Sequence, residues 1–145
     1  LKKRPDIIIF EGWCVGAKAE KHNALKKSVN SLEKLKDKKL IWRRYVNKQL
    51  QSKYKQLYDQ LNCLLYIKSK NFSLLKKWRI KQERKLSLKN KKFNDHKIMS
   101  DKEVINFMET YQRVTQNMLK YVPKYASIIL NLNSNQQIKS VIYNK

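Results

Sequence analysis

The sequence is poor in the residues that punctuate a chain: two glycines, two prolines and two cysteines in 145 residues. A turn-rich β fold needs more glycine and proline, so long helices are favoured. Cys14 and Cys63 stand far apart, without CxxC or any other metal-ligand spacing. Each lies in an apolar run, where a free cysteine acts as a small buried hydrophobe, and a reducing cytoplasm is the simple inference. No apolar run approaches the ~20 residues of a membrane span, and no signal peptide is visible, so no membrane partner is expected. GxSxG, HExxH and Cys/His pairings are missing too. His22 and His96 lie in polar basic stretches with no nucleophile or second ligand nearby in sequence, and read as surface residues.

Positive charge is abundant. Lys and Arg total 34 against 11 acidic residues, a net charge of +23. Such a balance ordinarily points to nucleic acid or an anionic membrane. Arginine, however, occurs only at positions 4, 43, 44, 79, 84 and 113, and the many lysines come with many Asn and Ile residues. Those residue types share AT-rich codons, so genome composition accounts for much of the charge. The lysines are also spread along the chain and not gathered into one tail. A specific nucleic-acid partner is therefore not expected, while a basic helical nucleic-acid-binding module stays open as an alternative. The chain opens on Leu1, and a strand-like run starts only six residues in. Both features lead us to expect an N-terminal cut.

One domain fits the length. Asp6 to Phe10 reads as a strand, its consecutive isoleucines suiting burial on both faces of a parallel sheet. Residues 19–39 read as one loose helix and a connection. From Leu40 the spacing of Val46, Leu50, Tyr54, Leu57 and Leu61 predicts a helix with one apolar stripe. A buried strand at 64–67 and a helix over 72–88 follow, then a polar loop over 89–99. Ser100-Asp101-Lys102-Glu103 is a capping box opening a helix that carries Val104, Phe107, Met108, Tyr111 and Met118 and stops before Pro123. Ser127 to Leu132 reads as a third strand, 133–135 as a turn, and 138–143 as a final short strand. The alternation argues for an α/β fold with a largely parallel sheet, whose ligands gather at the carboxyl ends of the strands.

Glu11 occupies such an end. A carboxylate there can hold hydrated magnesium or orient a reacting hydroxyl, although a solvated turn would look the same. Gly12 permits close backbone approach, and Trp13 can wall a small pocket. Arg79, Lys81 and Arg84 lie on one predicted helix, and guanidinium binds phosphate as a two-pronged fork. A solvated basic helix face is the plain alternative. Tyr111, Arg113 and Thr115 share the capped helix, with Arg113 exposed by default.

The strand plus DIIIFEGWCVGAKA resembles the strand and EGW motif of D-glycerate 3-kinase-like P-loop kinases, relatives of uridine kinase and phosphoribulokinase. WRRYVNKQL, LLYIKSKNFSLLKKWRIKQERKL, MSDKEVINFMETYQRVTQNMLKYVP and ASIILNLNSNQQI continue the resemblance in order, from about residue 6 to 138. It implies ATP-dependent phosphoryl transfer to a small hydroxy acid such as D-glycerate, with magnesium; a uridine- or pantothenate-type acceptor is the alternative within the superfamily. Glu11 matches the acidic end of a Walker B-like strand and is expected to act on magnesium-bound water or on the acceptor hydroxyl. Gly12 and Trp13 would shape the substrate side. Arg79, expected to be catalytic, and Gln82 would form a lid over the nucleotide phosphates, joined by Arg113. Asn47 matches a VNxxL block of unstated role. Within one domain, 1–18 would be the Walker B-like segment, 71–100 the lid, and 100–145 the C-terminal helix and strands.

The GxxxxGK[ST] loop of that family is absent, and with it the backbone cradle for ATP phosphates. The resemblance thus implies a partial P-loop NTPase-type parallel sheet flanked by helices, lacking its N-terminal P-loop strand. That strand would lie between the first two strands present here. The chain alone is expected to be poorly stable, with apolar strand edges facing a gap, and inactive until the missing N-terminal segment completes the sheet.

Overall fold

The computed structural model describes residues 4–90 and 98–144. It is a mixed α/β structure with a three-stranded sheet flanked by helices. A 3-10 turn at His22–Lys26 and α1 (Ser31–Lys36) precede α2 (Ile41–Gln51) and α3 (Lys53–Tyr58). Then come β1 (Leu65–Lys68), α4 (Phe72–Asn90), α5 (Asp101–Tyr121), a 3-10 turn at Val122–Lys124, β2 (Ile128–Leu132) and β3 (Ile138–Tyr143). β1 runs parallel to β2 with Leu65 opposite Ile128; β2 pairs antiparallel with β3. The crossover from β1 to β2 is made by α4 and α5, as a parallel pair requires.

The expected capping box is formed. The Glu103 amide donates to Ser100 Oγ (3.3 Å), and Glu103 Oε2 accepts from the Ser100 amide (2.7 Å). α5 lays Val104 and Met108 against Phe72 of α4, and Met118 against Ala17, Val122, Ala126 and Ile129. These two apolar clusters make α5 the axis of the molecule. The polar loop expected over 89–99 begins later, since α4 runs to Asn90; 91–97, and with them His96, lie outside the described residues.

Four expectations change. Asp6 to Phe10 belongs to no sheet: Ile7, Ile8 and Ile9 are 80%, 79% and 87% exposed, and among the described residues no strand lies beside them. The β-branched run disposes them to extended backbone, but a strand needs a neighbour. β1 is likewise open on one face, with Leu65 and Ile67 exposed. The long helix with an apolar stripe is broken at Ser52, whose Oγ and amide both bond back to the Lys48 carbonyl (2.8 and 3.1 Å). Tyr54 and Leu57 are consequently exposed, and α2 instead buries Arg43 and Asn47. Cys63 is exposed and Cys14 half-buried; both are free thiols.

Candidate functional site

Residues 14–33 contain only one short 3-10 turn and the start of α1, so their backbone polar groups need partners elsewhere. Side chains of the helices supply them. Tyr58 Oη donates to the Cys14 carbonyl (3.0 Å), Tyr125 Oη to the Gly16 carbonyl (2.8 Å) and Asn117 Nδ2 to the Lys18 carbonyl (2.8 Å). Burial pushes the phenols of Tyr66 and Tyr125 up to about 12, with Tyr125 and then Cys14 adding to the effect at Tyr66, so the Tyr125 hydroxyl remains a protonated donor across ordinary pH. Asn47 reads the Glu20 backbone like a second strand: Oδ1 accepts from the amide (2.8 Å) and Nδ2 donates to the carbonyl (3.1 Å). That gives the VNxxL asparagine a role. Gly16 has φ +79°, and a Cβ there would meet Leu64 Cδ2 at 2.8 Å, so this tie is built for glycine.

Arg113 is the hub of these ties, and here the default of an exposed arginine is corrected. It is buried on α5 and spends every N–H direction on protein acceptors. Nε and Nη2 fork onto the Glu33 carboxylate (2.7 and 2.7 Å), Nη1 reaches Glu20 Oε2 (3.0 Å) and the Ala24 carbonyl (3.3 Å), and Nη2 also reaches the Lys27 carbonyl (2.6 Å). It therefore has no donor left for a phosphate in this conformation, contrary to a nucleotide-contacting role. Arg43 forms the companion pair with Asp37 (Nε to Oδ2, 2.9 Å) and donates to the Leu25 carbonyl (2.9 Å). Burial acts to raise the Asp37 carboxyl, but the bonds from Arg43 and the Trp42 and Arg43 amides outweigh it and leave it below the usual carboxylate range. Lys18, Glu20, Glu33, Arg43, Asn47 and Arg113 line a partly open cavity of about 40 Å³, large enough for water. Thr115, beside the hub on α5, is buried, and its Oγ1 has no partner among the described residues.

The Glu11-Gly12-Trp13 corner sits at the outer end of this belt. Glu11 is exposed and makes no side-chain hydrogen bond among the described residues. Gly12 is not in the left-handed region, and a Cβ there would meet only Val15 Cγ2, at 3.0 Å, so no turn geometry demands glycine. Trp13 stacks nearly parallel on Tyr111 of α5, ring centroids 5.2 Å apart with planes 10° from parallel.

On α4 the cations divide. Arg79 is half-buried and bonded through Nη1 to the buried Glu83, whose Oε1 also accepts from the Met99 amide (3.0 Å). That backbone bond, ahead of Arg79, holds the Glu83 carboxyl below its ordinary range. Nε and Nη2 of Arg79 make no hydrogen bond among the described residues, so it retains donors for an anion. Gln82 is exposed beside it in sequence. Lys81 and Arg84 face another way, lining an open cleft with Lys77, Lys85 and Asp101, where Arg84 pairs with Asp101. The helix is held by these pairs and by Trp78 Nε1 donating to the Ser134 carbonyl (3.0 Å). No hydrogen bond or ion pair among the described residues joins Glu11 to Arg79 or Gln82.

The described residues contain no cluster of three His, Cys, Asp or Glu groups able to hold a metal. Glu11 alone fits the share of a water-mediated magnesium site that one carboxylate supplies. The rest of a magnesium–nucleotide site does not fit: neither glycine lies in a phosphate-cradling loop, and Gly16 is packed against Leu64. No helix of the described residues is long and apolar enough to cross a membrane.

No family model and no curated protein matches the chain. Among solved structures, it is similar to a D-glycerate 3-kinase from Cryptococcus neoformans var. grubii serotype A, with a TM-score of 0.75 at 21% identity. The match covers 98% of this chain and 51% of that one, so the chain spans about half the length of its neighbour. Over these residues the fold is similar to that of about half of the neighbour's chain.

Proposed function

We propose that the chain is the C-terminal part of an ATP-dependent cytoplasmic kinase acting on a small hydroxy acid, D-glycerate foremost. The observation carrying this reading is the kinase fold running through nearly the whole chain, with EGW following an extended isoleucine run as the sequence resemblance implies. Glu11 would accept the proton or hydrogen bond of the acceptor hydroxyl, Trp13 would wall the acceptor, and Arg79, anchored by Glu83, would offer its free donors to a phosphoryl group. ATP and magnesium supply the transferred group and its charge neutralisation when the enzyme is complete; the phosphate cradle would come from a segment outside these residues.

The Ile7–Ile9 run, unpaired among the described residues, and the free edge of β1 support such a segment, since an added strand could pair with both. The test is to supply a segment bearing a strand and GxxxxGK[ST], fused or co-expressed, and to measure ADP formation with D-glycerate, uridine and pantothenate. Turnover with D-glycerate, lost in Glu11→Gln and in Arg79→Ala, is expected. Full activity in both variants would refute the site, and activity only with another acceptor would replace the substrate.

A further inference from the structure

We infer that Tyr111 is a positioning residue that fixes the indole of Trp13 as one wall of the acceptor site, with Phe107 as its brace. The ligand side of this inference rests on the proposed hydroxy-acid reading; the hold of Tyr111 on the indole does not. Trp13 lies in a turn with no strand or helix to fix its side chain, and a free indole there would sample several rotamers. One face of it lies on Tyr111 in near-parallel stacking, while the side chain as a whole stays 42% exposed. Tyr111 is kept from turning by Phe107, four residues earlier on α5, whose ring meets it at 5.2 Å and 59°.

The platform beneath is rigid. α5 is capped at Ser100, buried through Val104, Met108 and Met118, and bolted to the belt by Arg113 two residues beyond Tyr111. The exposed remainder of the indole offers an apolar wall to the carbon skeleton of a small hydroxy acid. Glu11, two residues before it, offers an acceptor for the hydroxyl.

The chain contains three tryptophans, at 13, 42 and 78, so labelling with 5-fluorotryptophan gives three 19F signals, and Trp13→Phe identifies the relevant one. In Tyr111→Ala the Trp13 signal should move and its H2O/D2O isotope shift should grow, with the other two signals unmoved. Tyr111→Phe should restore both values. Should Tyr111→Ala disturb all three signals, Tyr111→Leu, which keeps the bulk but not the ring, takes its place. Titration with D-glycerate of the chain completed by a segment bearing a strand and GxxxxGK[ST] should shift the wild-type Trp13 signal, with the dissociation constant raised about fivefold in the Ala or Leu variant, the equivalent of ~1 kcal/mol of ring stacking, and recovered in Tyr111→Phe. A Trp13 signal indifferent to loss of the Tyr111 ring would overturn the positioning role, as would unchanged glycerate affinity. A wild-type signal that ignores D-glycerate but responds to Tyr111→Ala would instead sink the acceptor reading and leave the hold on the indole standing.

Discussion

Replacing Arg113 by alanine tests the electrostatic belt most directly. The guanidinium forks onto Glu33, reaches Glu20, and satisfies the carbonyls of Ala24 and Lys27. Breaking a buried ion pair by removing one partner costs ~3–5 kcal/mol, because the other charge is left uncompensated. Glu33 keeps Arg43 as a second, more distant partner at 3.5 Å, which places the expected loss towards the lower end. The two carbonyls, newly unsatisfied, push it up again by ~1–3 kcal/mol each at most, and these terms do not add within one network. About 4 kcal/mol is the resulting expectation, a large part of the ~5–15 kcal/mol that holds a typical domain together. The loss should also be local. Amides in peptides spanning 17–33 should exchange with solvent hundreds of times faster in Arg113→Ala, while those around Val104 and Met108, in the other apolar cluster, change far less. Arg113→Lys should recover only part, because an ammonium cannot fork onto Glu33 and still reach the carbonyls. A urea midpoint shift equivalent to less than ~1 kcal/mol, together with unchanged exchange over 17–33, would refute the hub assignment.

Three further outcomes follow from the same geometry. Asn47→Ala should cost ~1–3 kcal/mol by leaving the Glu20 amide and carbonyl unpaired, and Asn47→Asp should cost a similar amount because a carboxylate cannot donate to that carbonyl; chemical denaturation of each variant measures this. Thr115→Val should raise the denaturation midpoint by up to ~1 kcal/mol, since it removes a buried hydroxyl that has no partner and keeps the shape. Acid should weaken two separate anchors, Asp37 in the belt and Glu83 on α4, in a defined direction: with both held below their free values, their contribution is fully present above the unfolded carboxylate range of roughly 3.9–4.3 and is lost as pH falls through the lower folded values. Asp37→Asn should flatten the acid limb of a stability–pH curve; an unchanged limb would count against the Asp37–Arg43 pair.

What was legible in the sequence was what depends on near neighbours along it. The capping box needs only residues 100 and 103, and it formed as written. The runs 128–132 and 138–143 are β-branched enough to be strands in any setting that lets them pair, and they pair with each other. Arg113 was opaque because its carboxylate partners lie 80 and 93 residues earlier in the chain. A usable signal was nevertheless present. In a chain with so few carboxylates, Glu20, Glu33 and Asp37 cluster within eighteen positions of one another, and the scarce arginines answer them. Rarity of one charge sign marks those members as structural, whereas the surplus lysines carry little information. The apolar stripe from Val46 to Leu61 misled because periodicity cannot show a break made by a single side chain, Ser52, turning back onto Lys48. Likewise Ile7 to Ile9 have the composition of a buried strand, but burial is a property of the neighbour as much as of the run.

That last point bears on how the candidate site is assembled. The corner at Glu11 is restrained on its C-terminal side by Trp13 on Tyr111 and by the carbonyls of Cys14 and Gly16 on two tyrosines. On its N-terminal side, Ile7 to Phe10 have no strand neighbour among the described residues, which fix the backbone of Glu11 from one direction only. Fixing a residue's backbone costs ~1–2 kcal/mol of entropy, and for the five residues 7–11 that is roughly 5–10 kcal/mol still to be met. Burial of three isoleucine side chains, at ~1.5–3 kcal/mol each, is of the same size. A strand laid against that run would thus supply about what is needed to order it, and would place the Glu11 carboxylate in the same step. Under the proposed reading the Glu11 backbone is fully ordered only when the sheet is completed, so acceptor binding and strand addition should favour one another, and Ile8→Lys should weaken both together.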